Sequence, residues 1–209
     1  MGYSEFIERS STEPMVNFTA KIIRESGLSL ARTSNAFIDL NRLEFGQLKV
    51  NCSTFHFNEL VSDLVELYQS QSLDLDLDIT FTCYSDCSFI EMYSDEKLIR
   101  QIVDALIFNS IICSKEAKSL RVDIFISDCG NLVKLVLIER ILPLSEARIQ
   151  LLKNFWNSMK YKYELQEGPG VELAFVKALI NHLQGCVEFQ SLTENNSQLI
   201  VMLPLNYKQ

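Results

Sequence analysis

Between residues 17 and 43 the apolar side chains Phe18, Ile22, Ile23, Leu28, Leu30, Phe37, Ile38, Leu40 and Leu43 return at steps of three and four. That period predicts a single amphipathic helix, roughly 40 Å long at the standard rise per residue. A helix of this length outgrows a compact core, so part of it must lie against another helix or against a second copy of the chain. Gly46 supplies its stop signal. The whole chain has 209 residues, 47% of them apolar, with 7 Gly and 4 Pro. That composition excludes a disordered or collagen-like polymer. At this length about 70% of the unfolded surface is buried on folding, enough for one core with a helical appendage and too little for two large domains.

The net charge is −8, from 27 acidic and 19 basic residues, and no Lys/Arg cluster stands out. This speaks against a surface that tracks nucleic-acid phosphates. The six cysteines, at 52, 83, 87, 113, 129 and 186, form no C-x-x-C pair, so reduced thiols are expected, with neither a structural metal nor a redox motif. The opening MGYSEFIERS lacks an apolar signal core. The most apolar stretches are interrupted by Arg100, Asp104, Lys134 or Glu139, too often for direct insertion into a membrane. A cytoplasmic location is expected, either for a free protein or for the soluble piece of a longer membrane-bound one.

Past the long helix, an extended lead-in over 48–57 reaches Asn58, read as the N-cap of a helix through Leu60, Leu64, Leu67 and Tyr68. Residues 73–81, LDLDLDITF, alternate strictly and predict a strand with Asp74, Asp76 and Asp78 facing solvent. The same D-x-D-x-D spacing occurs in calcium loops, but the turning Gly and later Glu of such a loop are missing. A third helix is predicted over 95–113, then two strands, 120–127 and 132–139, around the turn DCGN. Helices over 144–155 and 171–183, the latter closed by Gly185, enclose a loop at 161–170; strands 186–191 and 198–204 finish the chain. Helices interleaved with mostly hairpin-joined strands predict the α+β class: a two-layer α/β sandwich preceded by a long N-terminal helix. The expected division is a helical dimerization or docking segment over 1–50 and a globular domain over 51–209.

Four segments, in order, resemble sensor histidine kinases of two-component signalling. RESGLSLARTSNAFIDLNRLEFGQLKV (24–50) resembles the second helix of their dimerization hairpin and its exit. SDEKLIRQIVDALIFNS (94–110) resembles the asparagine-box helix, GPGVELAFVKALINHLQG (168–185) the second glycine box and its helix, and LIVMLPL (199–205) the closing strand. The resemblance covers about residues 17–205. It implies the Bergerat ATP-binding fold shared with gyrase and Hsp90-type ATPases.

Against that pattern the chemical positions are altered. The family's phosphoacceptor His lies one helix upstream of the matching segment; about 16 residues precede the match and none is His. His56 and His182 have no neighbours that would activate a nucleophile or base. Where relatives place an Asp followed by glycines to receive adenine, this chain has Glu139 in LIERILPLSE, with no Gly. Asp128 and Gly130 imitate that motif about ten residues too early and read as a turn. Asn109 matches the family's magnesium-holding Asn, but the Asn expected one turn earlier is Ala105 and the Lys expected three residues later is Ile112. Gly168 and Gly170 match two glycines of the second box, and the third is Glu172. A carboxylate there suits an empty helix N-terminus and repels phosphate. ATP and magnesium are therefore not expected as cofactors, and the matching positions Asn109, Glu139, Gly168 and Gly170 are read as vestigial.

Three readings follow. The first is a pseudo-histidine kinase that binds a response-regulator receiver domain or a kinase through its long helix, with Phe18, Ile22, Phe37 and Leu40 as contact residues, and with a homodimer through the same helix as a further possibility. An intramolecular core contact explains each of those four residues equally well. The second is the ATP-binding catalytic part of a hybrid sensor kinase, with Asn109, Gly168 and Gly170 on phosphate and Glu139 on adenine. The third, a phosphotransfer protein, requires an exposed helical His that the chain does not offer.

Overall fold

The structure is a computed structural model that describes residue 7 and residues 13–72, 77–85, 89–114, 119–127, 130–140, 146–157, 171–193 and 196–208. The three-and-four period folds as expected into one helix, α1, Pro14–Glu44, of 31 residues. Pro14 occupies its first turn, where a missing amide proton costs nothing. Gly46 ends it at a φ of 65°, and the Gly46 and Gln47 amides return to the carbonyls of Leu43 and Arg42. This is the left-handed glycine cap that closes many helices.

Strand β1, Ser53–His56, runs directly into α2, Phe57–Ser72. The helix therefore starts one residue before Asn58, which is not its cap: the Asn58 side-chain oxygen instead accepts the Ile90 amide at 2.8 Å, tying α2 to the segment ahead of β3, Glu91–Ser94. The strand predicted over 73–81 is present from Asp78 and runs beyond its expected end. It spans Asp78–Tyr84 as β2, with Asp78 exposed at its start; Asp74 and Asp76 lie outside the described residues. Helix α3, Glu96–Ser114, is capped by Asp95. One Asp95 oxygen accepts the Lys97 and Leu98 amides, each at 3.1 Å, and the other accepts the Asn51 amide at 2.8 Å.

The remaining elements are β4 Ser119–Ile126, β5 Leu132–Arg140, α4 Glu146–Asn157, α5 Val171–His182, β6 Cys186–Thr193 and β7 Asn196–Pro204. The loop read over 161–170 lies outside the described residues, as do Asp128 and Cys129 of the DCGN turn. Strands β1 and β3 pair antiparallel, and the other five form one mixed sheet in the order β2-β4-β5-β7-β6. Only β2 and β4 are parallel neighbours in it.

Alternation buries one face of that sheet. Leu120, Val122 and Ile124 of β4, Val133, Leu135 and Leu137 of β5, and Leu199, Val201 and Leu203 of β7 all point into the core. Helices α2, α3 and α5 lie against the strands or against one another to form the second layer, contributing Val61, Ile102, Leu106, Ile107 and Leu179. The expected α+β two-layer sandwich, preceded by a long helix, is the observed architecture. Helix α1 packs along α5. Its Ala20, Ala36 and Leu40 are buried, and the last two join the main core.

Candidate functional site

The residues matched by the resemblance lie on α3, at the end of β5 and at the start of α5, and α3 packs against both β5 and α5. Antiparallel pairing sets Glu139 opposite both Leu120 of β4 and Ser197 of β7. This register turns its side chain toward α3, where the buried Ser110 hydroxyl donates a hydrogen bond to Oε1 of Glu139. Burial pushes the Glu139 carboxyl up from the ordinary glutamate range, and the Ser110 bond opposes this only in part. Asn109, the neighbour of Ser110, is half-buried, and so is Ala105 one turn earlier. The side chain of Ile112 and all of Gly168 and Gly170 lie outside the described residues, as do Lys160 and Lys162.

At the start of α5, Glu172 stands in the first turn. Its Oε1 accepts a hydrogen bond from the Thr33 hydroxyl of α1 at 2.9 Å. The residue before Thr33 is engaged as well. The Arg32 guanidinium carbon lies 3.8 Å from the centre of the Phe108 ring on α3, a stacking contact that favours the cation. Beside them the Tyr68 hydroxyl of α2 donates to Oδ1 of Asp104 on α3 at 2.7 Å. Burial, reinforced by that bond and by the Asp104 charge, pushes the Tyr68 pKa up to about 12, while Arg32 pulls the other way. Of the residues singled out from sequence, Asn109 and Glu139 thus sit on adjoining elements. Arg32, Thr33, Tyr68, Asp104 and Ser110 carried no signal in the sequence, because each acts through a contact between distant segments.

The four proposed contact residues of α1 separate. Phe18, Ile22 and Phe37 are exposed, at 65%, 46% and 56%, whereas Leu40 is 3% exposed and packed in the core. For Leu40 the intramolecular reading holds, because α1 turns that side chain toward α5 and the sheet. Met15, Ile23, Leu30 and Ile38 extend the exposed apolar stripe.

Neither histidine stands on an exposed helix face. His56 closes β1, with Nδ1 3.0 Å from Glu59 and its ring stacked on Phe89. His182 ends α5, with its Nε2 buried and without a hydrogen-bond partner. Among the described residues no three His, Cys, Asp or Glu side chains gather to hold a metal, and no helix is long and apolar enough to cross a membrane.

No family model matches the chain. It is 22% identical over 190 residues to the non-motile and phage-resistance protein of Caulobacter vibrioides, covering 88% of this chain and 22% of that protein. It is also 22% identical over 208 residues to the autoinducer 2 sensor kinase/phosphatase LuxQ of Vibrio cholerae, covering 98% of this chain and 24% of LuxQ. The chain therefore spans under a quarter of these relatives. Among solved structures, the histidine kinase AdeS of Acinetobacter baumannii superposes with a TM-score of 0.67 at 17% identity, over 93% of this chain and 86% of that one. The catalytic domain of histidine kinase ThkA gives 0.59 at 19% identity, over 76% of this chain and 99% of the domain. ThkA in complex with the response regulator TrrA gives 0.63 at 17% identity, over 97% of this chain and 55% of that one.

The chain is histidine-kinase-like in fold.

Fold does not carry chemistry with it, so magnesium–ATP must be fitted to the side chains present. The family resemblance implies an Asp that accepts a hydrogen bond from the adenine amino group. Here the corresponding carboxyl, Glu139, is raised toward its neutral form by burial and already bonded by Ser110. The same fold offers phosphate the amides at a helix N-terminus, and here the carboxylate of Glu172 stands in that first turn. A second negative charge at that place opposes phosphate. Among the described residues Glu139 and Glu172 therefore oppose a magnesium–triphosphate rather than assist it, while Gly168 and Gly170 lie outside them.

Proposed function

We propose that this chain is a histidine-kinase-like signalling protein that works by binding rather than by turnover, a pseudo-histidine kinase of a two-component phosphorelay. Its partner is a receiver domain of a response regulator or a true histidine kinase, met in the cytoplasm through the exposed stripe of α1, which also offers a surface for a second copy of the chain. The observation that carries the reading is Glu172, whose carboxylate occupies the first turn of α5 and is engaged by Thr33, where a kinase of this fold needs room for phosphate. The fold-mate ThkA is a histidine kinase in complex with a response regulator, which supports that class of partner.

The alternative is an ATP-binding catalytic fragment of a hybrid sensor kinase. An Asn at 109 on α3, matching the family's asparagine box, and the fold shared with a kinase catalytic domain favour it.

Calorimetric titration with ATP and magnesium, combined with retention assays against receiver and kinase domains from the same cell, decides between the two. Millimolar or absent nucleotide affinity with retention of one receiver or kinase is expected. Micromolar affinity, about −8 kcal/mol, restores the enzyme. Failure to retain any receiver or kinase sinks the binding reading.

A further inference from the structure

We propose that Glu172 is an internal occupant of the α5 N-terminus that, through Thr33, clasps the long helix onto the core. Two consecutive residues of α1 reach opposite sides of the junction. Thr33 donates to Glu172 on α5 at 2.9 Å, and Arg32 stacks 3.8 Å from the Phe108 ring on α3, beside the Tyr68–Asp104 bond. Beneath them, Ala36 and Leu40 close the apolar seam. Among the described residues of the seam, Ala36 and Leu40 join the main core and Leu43 packs against it, so the Thr33–Glu172 bond lies at the margin of an apolar contact.

The chemistry of the clasp is economical. The Glu172 carboxylate gains from the partial positive charge of the helix end, and its bond from Thr33 is the charge-assisted kind, stronger than one between neutral groups. A glycine at 172, as the family pattern has it, provides neither. The residue that stands where the family pattern has a glycine is therefore the one that fastens α1. The clasp fixes the rotation of the helix: Ala20, Ala36 and Leu40 face inward, while Phe18, Ile22, Leu30 and Phe37 stay outward for a partner. It does not depend on which partner the chain binds.

Backbone hydrogen exchange of the full chain, read by mass spectrometry, tests the clasp without nucleotide or partner. In Thr33→Val and in Glu172→Ala, amides of α1 around residues 29–40 should exchange roughly tenfold faster, the loss of about one hydrogen bond to a charged group, while the β5 and β7 amides hold their rates. Thr33→Ser keeps the hydroxyl and should restore the slow rate. The double variant should be no faster than either single one, because both remove the same bond. Additive effects would overturn the proposal. So would unchanged α1 exchange in Thr33→Val, or acceleration confined to the first turn of α5 in Glu172→Ala, which would reduce Glu172 to a helix-end charge.

Discussion

At the scale of single residues, burial decides the charge states. Glu139 has a folded pKa raised above its unfolded value, so it supports the fold fully at pH values below the ordinary glutamate range. That support is lost as pH rises through the raised folded value. Glu139→Gln stays neutral throughout. Urea midpoints measured from about pH 4 to neutrality should therefore shift in favour of the Gln variant as pH rises; parallel curves for the two proteins would show that Glu139 ionises in the fold as freely as in the unfolded chain. Tyr68 offers a second check. Tyr68→Phe removes its bond to Asp104 at little cost in volume, and should destabilise by about 1 kcal/mol in urea titration at neutral pH. The family resemblance singles out Glu139, but not its burial or its bond from Ser110, which depend on a strand register no local pattern encodes. Thr33 was less legible still: a threonine on a helix looks like any other polar residue until Glu172, far along the chain, is brought beside it.

At the scale of elements, glycines show two different needs. The left-handed residue that ends α5 is Gln184, at a φ of 61°, and not Gly185, which the sequence marks as the closing glycine. A Cβ on Gly185 would lie 2.6 Å from the Met202 carbonyl oxygen and 2.8 Å from a Leu203 methyl. Its smallness is required by the β6–β7 pair rather than by backbone conformation. Gly46 has the opposite character, with a φ of 65° and open space around it. Gly46→Ala should cost about 1 kcal/mol through φ alone. Gly185→Ala forces strand against helix and should cost about 1–3 kcal/mol, so the larger loss in thermal or urea unfolding belongs to Gly185; the reverse ranking would place the strain in the helix cap. Helical elements were the most legible, because α1, α3 and α5 repeat their apolar period over many residues. The strand expected over 73–81 is borne out over 78–81, where Asp78 pairs with Ser119, and it continues to Tyr84; Asp74 and Asp76 lie outside the described residues. Asn58 was misread because an Asn ahead of a leucine repeat looks like a cap, whereas its oxygen serves the Ile90 amide across the small sheet.

At the scale of the whole molecule, α1 has two sides with different tasks, and substitution should separate them. Leu40 belongs to the core that the helix shares with the sheet. Leu40→Ala should destabilise by about 2–5 kcal/mol, the usual range for emptying a buried leucine site. Phe18 and Phe37 lie on the outer stripe, so the double variant Phe18→Ser, Phe37→Ser should unfold within about 0.5 kcal/mol of wild type while losing retention of its receiver or kinase partner. Sedimentation of the same variant sorts the occupants of the stripe: a fall in mass identifies a second copy of the chain, and an unchanged monomer that has lost its partner identifies a heterologous interface. A variant that unfolds early would mean that the stripe packs within the molecule. A stable one that keeps every partner would move the docking surface off α1, and with it the reading that the long helix is what this histidine-kinase-like chain presents to others.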